Sequence, residues 1–188
     1  MTHALWYASR ATGLVALLLL TATVTVGALH TGRLRGPRGG RLVLSTLHSD
    51  LSLLILVFLV IHAGSAVLDP YAGIRWVDAV VPFASAYQPM PLGLGAVAFD
   101  LLLALLVTSL TRALIGLRGW RIVHWLAYVC WPVAIVHGLL IGGADSRLWW
   151  VLLVTAGCAV AVTVAVSWRL VVRRQDARVR PAAARDRR

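Results

Sequence analysis

Five long apolar stretches decide what this chain can become. Residues 11–29, 122–144 and 148–168 contain no charged side chain, while 42–68 and 92–111 contain one acidic residue each, Asp50 and Asp100. A helix needs about 20 apolar residues to cross a hydrocarbon layer of about 30 Å. Lipid offers backbone N–H and C=O groups no partner, so open-ended spans are helical. The expectation is an all-α membrane protein, a bundle of five transmembrane helices within residues 1–172, followed by a basic tail, 173–188, expected to be disordered. Composition agrees: charged residues are 13% of the chain, against about 25% in soluble domains, which excludes a water-soluble globule and a disordered chain. The first stretch exceeds the ~7–15-residue apolar core of a cleaved signal and follows little positive charge, so it reads as a retained span.

Charge orients the bundle. The net charge of +11 arises from 18 arginines, with no lysine, against seven aspartates. Fifteen arginines fall between the first and second stretches, between the third and fourth, or after the fifth; only Arg10, Arg75 and Arg147 lie at the opposite end. Because so much charge sits between apolar runs, lipid rather than nucleic acid is the expected partner. The positive-inside rule places the N-terminus outside and the C-terminus in the cytoplasm, in a plasma (inner) membrane crossed several times. Trp6, Tyr7, Trp149 and Trp150 outside, with Trp120 and Trp168 inside, read as interfacial anchors. The one long loop, 69–91, mixes Pro and Gly with Tyr71, Trp76, Val80, Val81 and Phe83, the composition of an outer lid lying on the membrane surface.

The histidines carry the chemistry. His3 and His30 lie at span ends and read as interfacial side chains. His48 and His62 are 14 residues apart in the second stretch; His124 and His137 are 13 apart in the fourth. Both stretches run in the same direction, so His48 pairs in depth with His124 and His62 with His137, on levels roughly 20 Å apart at ~1.5 Å rise per residue. Ionisable groups in a bilayer are costly and mark function. A pair of opposed imidazoles suits a metal with two open axial positions, as in haem, and a bis-His iron keeps no site for substrate, which favours electron transfer. Zinc or a di-iron centre fits less well, since no carboxylate stands at a metal-helix spacing from these histidines. The 13-residue spacing turns His137 about 140° from His124 on a straight helix, so Pro132 is the expected place for a kink that restores the phase.

The segments HSDLSLLILVFLVIH (48–62) and HWLAYVCWPVAIVH (124–137) resemble the haem-binding core of the ferric reductase-like transmembrane family. That family includes iron and copper reductases, NADPH oxidases and the haem subunit of the periplasmic methionine-sulfoxide reductase system. The likeness covers residues 42–144, with LWYASRATGLVALLLL (5–20) a weaker match. It implies two haem b groups, His48 and His124 on the inner one and His62 and His137 on the outer. Members often have six spans, and many continue into flavin- and nicotinamide-binding domains; here there are five stretches and no Gly-rich nucleotide loop. The resemblance therefore implies an electron conduit or subunit. Its donor would be a cytoplasmic flavin reductase or quinol, and its acceptor a protein or metal on the outer side. A small ferric or cupric reductase and a non-redox membrane bundle are the alternatives.

Other residues are weaker candidates. Arg10 near the outer level, with Arg41 and Arg121 near the inner one, could bind propionates through the guanidinium fork. Asp100 is expected to face the bundle interior, either as a partner for a ligand or a proton carrier or equally as a neutral, hydrogen-bonded buried residue. Gly13 and Gly64 could admit close approach of a helix or macrocycle. Cys130 and Trp131, between the two levels, read as packing.

Overall fold

A computed structural model describes residues 4–31 and 38–185, with side chains described for 4–29, 40 and 42–175. His3 and the arginines at 33 and 35 fall outside these residues, as do the side chains of His30, Arg38 and Arg41.

Most of the described residues are helical, with no strand among them. The helices are α1 (Ala4–Thr31), α2 (Arg38–Leu68), α3 (Trp76–Val80), α4 (Pro89–Leu110), α5 (Arg112–His124), α6 (Ala127–Ile141) and α7 (Trp149–Arg185), with a 3₁₀ turn at Asp145–Arg147. Four of them, α1, α2, α4 and α7, are individually long and apolar enough to cross a membrane. The fourth apolar stretch is different. It is shared between α5 and α6, which together pass the same test but are bent by 46°. Large apolar side chains are exposed on every long helix, as the flanks of a multi-pass membrane protein must be once the surrounding solvent is lipid.

Three expectations change. The segment before the fourth stretch is not a loop: α4 ends at Leu110 and α5 begins at Arg112, with Gly116 at φ 74° breaking α5 internally. The rephasing bend is not at Pro132, which lies inside a continuous α6. It falls at Trp125–Leu126, where N–H groups of Leu126, Tyr128 and Val129 bond to carbonyls three residues back. Such 3₁₀ turns wind ~120° per residue rather than ~100°, so the break both bends and overwinds the chain. Finally, α7 continues as helix to Arg185, through much of the tail expected to be disordered.

Packing follows from small residues and from cross-ties. α1 lies along α2, α4 lies along α6, and α1 also meets α6 and α7. The core is a band at mid-height: Leu20 and Val24 of α1, Ile55 of α2, Leu105 of α4, Cys130 and Trp131 of α6, and Cys158 and Val162 of α7. Cys130 and Trp131 are packing residues, as expected, and they are also ties. The Trp131 indole N–H donates to the Thr21 hydroxyl at 2.9 Å, and the Cys130 thiol donates to the Ala98 carbonyl at 3.4 Å. Burying these donors without partners would be costly, so each one specifies which helix lies opposite. α2 packs extensively on α1 alone. Its other face is turned to two cavities.

Residues 69–91 close one end of the bundle, hereafter the lid end; the other is the Arg-rich end. Arg75 opens α3, and Asp78 ties it down. The Arg75 backbone N–H donates to Asp78 Oδ2 at 3.0 Å, and its guanidinium donates to both carboxylate oxygens, at 3.2 and 2.7 Å. Asp78 is 3% exposed. The Phe83 ring sits against the bare backbone of Gly93 on α4, where any Cβ would overlap it. Phe83 takes φ 65° to reach that position, a conformation costly for a bulky residue. So the lid is docked on α4 rather than merely lying on a surface.

Candidate cofactor-binding site: two histidine pairs

Each pair predicted from depth meets in the structure. The ring centres of His48 and His124 are 6.0 Å apart with planes at 64°; those of His62 and His137 are 6.2 Å apart at 82°. This is too far for a ring-to-ring hydrogen bond, whose ~2.9 Å N···N distance would bring the centres to about 5 Å. It matches two imidazoles on one metal atom. With metal–nitrogen bonds of about 2.0 Å and ring atoms about 1.15 Å from the ring centre, the centres fall about 6.3 Å apart. Among the described residues no group of three or more His, Cys, Asp or Glu side chains converges. Each pair therefore offers two ligands, and a metal between them needs the rest from a ligand set such as a porphyrin's four nitrogens.

Three of the four rings are seated in the same way. Nδ1 of His62 lies 2.7 Å from the Ser9 carbonyl, Nδ1 of His48 lies 3.1 Å from that of Thr23, and Nδ1 of His137 lies 2.8 Å from that of Pro91. A carbonyl only accepts, so Nδ1 carries the proton and the neutral ring keeps its lone pair on Nε2. That is the tautomer of a metal-binding histidine with its outer hydrogen bond in place. Four residues after each acceptor stands a glycine: Gly13, Gly27 and Gly95. A Cβ there would come within 2.8, 3.0 and 2.6 Å of the Cε1 of His62, His48 and His137 respectively. Only glycine lets the ring lie on the helix backbone. Of the two glycines singled out in the sequence, Gly13 is such a seat, and Gly64 has nothing within 4 Å of its Cβ position.

His124 is seated differently. It ends α5, and its ring stacks on Trp120 at 4.7 Å with planes 27° apart. Trp120, expected as a membrane anchor, is also the face against which this histidine lies. Nδ1 of His124 is buried without a hydrogen-bond partner among the described residues.

A cavity adjoins each pair. The lid-end cavity, about 590 Å³, is lined by His62 and His137, by Gly13 and Gly95, and by Asp78 of the lid. The Arg-rich-end cavity, about 760 Å³, is lined by His48, His124 and Trp120. Both volumes lie in the range of small-molecule and cofactor sites. Leu20, Ile55, Leu59, Phe99 and Leu102 line both cavities and form the partition between them.

Basic residues stand where anionic groups could be met. Arg10 lines the lid-end cavity, with its guanidinium 4.7 Å from the Trp6 ring centre. Arg121 lines the other cavity, as expected, but so do Arg112, Arg169 and Arg173, which sequence reading assigned to topology. Arg112 lies over Trp120 at 5.6 Å, and Arg169 and Arg173 lie over Trp125 at 4.8 and 5.3 Å. Arg169 also donates to the Tyr128 hydroxyl. The signal that could have found Arg169 and Arg173 is their position one turn apart on α7, just beyond its last apolar run. The Arg41 side chain lies outside the described ones. Asp100 lines neither cavity and has no hydrogen-bond partner among the described residues, so its expected role as a ligand partner finds no support.

Set against protein-family models, curated proteins and solved structures, the chain finds no match in any of the three.

Proposed function

We propose that this chain is a transmembrane electron carrier that binds two haem b groups, one between His48 and His124 and one between His62 and His137. The carrying observation is the separation of the ring centres, 6.0 and 6.2 Å, in two pairs at two depths. A helix-glue role accounts for the Nδ1 contacts to carbonyls and leaves the facing of the rings unexplained. A bis-imidazole haem iron supplies one-electron chemistry between ferric and ferrous states.

The chain's own residues do the rest. Ser9, Thr23 and Pro91 orient three imidazoles through their carbonyls. Gly13, Gly27 and Gly95 bring those rings close to a helix axis. Leu20, Ile55, Leu59, Phe99 and Leu102 keep the space between the levels apolar, which excludes water from it. Arg10 at the lid end, and Arg112, Arg121, Arg169 and Arg173 at the other, supply charge for the propionates.

In this reading α5 and α6 together make the fourth of five spans, and the Arg-rich end is cytoplasmic. Electrons enter there from a flavin reductase or quinol and leave at the lid end to a protein or metal acceptor. The test is haem stoichiometry and an optical spectrum. Two haems per chain are expected, with sharp low-spin bands after dithionite. His62→Ala should convert one haem to high spin and spare the other, whereas His3→Ala and His30→Ala should change nothing. Unchanged haem content on replacing all four paired histidines would refute the assignment.

A further inference from the structure

The four rings are not equivalent, and the difference is confined to one. His48, His62 and His137 each have an interhelical Nδ1 hydrogen bond and a glycine beneath the ring. His124 has neither: its Nδ1 is buried without a partner, and none of the described glycines faces its ring. Among the described residues its stacked ring partner is Trp120. His124 also ends α5, one residue before the Trp125–Leu126 break at which α5 and α6 are bent by 46°.

Outer hydrogen bonds fix the orientation of a ligating imidazole and raise its basicity; losing one typically weakens metal binding by about 10–100-fold. A pair with both bonds is held from two sides, and a pair with one is held from one side. The His62–His137 pair is the first kind, and the His48–His124 pair is the second.

We propose that the centre at the Arg-rich end has an exchangeable axial ligand, His124, and so forms a binding position for a small neutral donor such as carbon monoxide or imidazole. The centre at the lid end stays closed. This rests on the haem reading above. The exchange is a substitution: the bond from the His124 nitrogen breaks and one from the incoming donor atom forms, with no change of oxidation state and no proton moved. Ser49, Ser52 and Ser109 add polar groups to the lining of the cavity beside His124.

The experiment is a carbon monoxide titration of the dithionite-reduced full-length protein in detergent or nanodiscs. Half of the haem should form the carbonyl complex, and the other half should keep its low-spin bands. His124→Ala should show one high-spin haem before addition and still bind carbon monoxide at half of the total. Where that variant fails to load, Trp120→Ala keeps the ligand and loosens its support; it should raise the carbon monoxide association rate above that of the wild type. Two low-spin haems with no carbon monoxide bound would overturn the proposal, and so would full occupancy in His124→Ala, since that places the open position at the lid end. A wild-type protein with no haem would instead defeat the haem reading itself.

Discussion

A single methyl group at residue 95 tests the seats. Gly95→Ala sets a Cβ 2.6 Å from His137 Cε1 and 2.7 Å from Nδ1, so the ring must leave its position and with it the Pro91 carbonyl. Overpacking of this kind costs about 1–3 kcal/mol. The expected outcome is loss of one low-spin haem with helical circular dichroism retained. Gly13→Ala should do the same through His62, while Gly64→Ala, with nothing within 4 Å, should leave the spectrum intact. The histidines were legible in the sequence because a titratable ring in an apolar run stands out and its depth can be counted. Their seats were not. The acceptors are backbone atoms of Ser9, Thr23 and Pro91, three unlike residues, so no residue type marks them. One trace was there to be read: Gly13 and Gly27 are 14 apart on α1, as His48 and His62 are on α2. On antiparallel helices the equal spacings bring 13 to 62 and 27 to 48.

Elements were legible where hydropathy governs them and not where local winding does. The four unbroken spans follow from apolar runs alone. The α5–α6 break falls at Trp125–Leu126, two residues with no helix-breaking chemistry, whereas Pro132, the obvious breaker, is tolerated inside α6. On either side of this break, His124 and His137 each face a histidine of α2. The lid was legible as a lid, but its fastening was not, since Phe83 reaches Gly93 through a backbone conformation that composition does not signal. Its tie to α3 gives a pH test. Hydrogen bonds from the Arg75 side chain and backbone hold the Asp78 carboxyl below its ordinary value of 3.8, and the same contact pushes Arg75 upward. A depressed carboxyl pKa stabilises the folded form above the unfolded value, and that contribution is lost as pH falls through the depressed one. Lid docking should therefore be insensitive to pH from neutrality to about 4 and loosen only below 3.8. Trp76 fluorescence, with Trp76→Phe as the blank, would report it. Asp78→Asn should show the loosened signal at neutral pH; a transition near pH 6 would point to another group.

On the scale of the whole molecule, charge and packing make separate statements. Arg112, Arg121, Arg169 and Arg173 line the cavity at the end opposite the lid. A reporter that works only outside the cytoplasm, fused after Arg188, should be silent; strong activity would exchange the entry and exit sides. Packing concerns α2. It supplies two of the four histidines, His48 and His62, yet it leans extensively on α1 alone and is the least buried of the four unbroken spans, with 11% of its apolar window inside. A helix with one neighbour is held by whatever fills the gap on its other side. For such a chain, loading and folding are one equilibrium: a ligand at 100 times its dissociation constant adds about 2.7 kcal/mol to the native state, and in its absence that increment is missing. Abundance then becomes a gauge of supply. If the chain carries haem as proposed, cells short of it would clear the unfilled chain through their membrane proteases, and the proposed electron route would thin in proportion to the cofactor available.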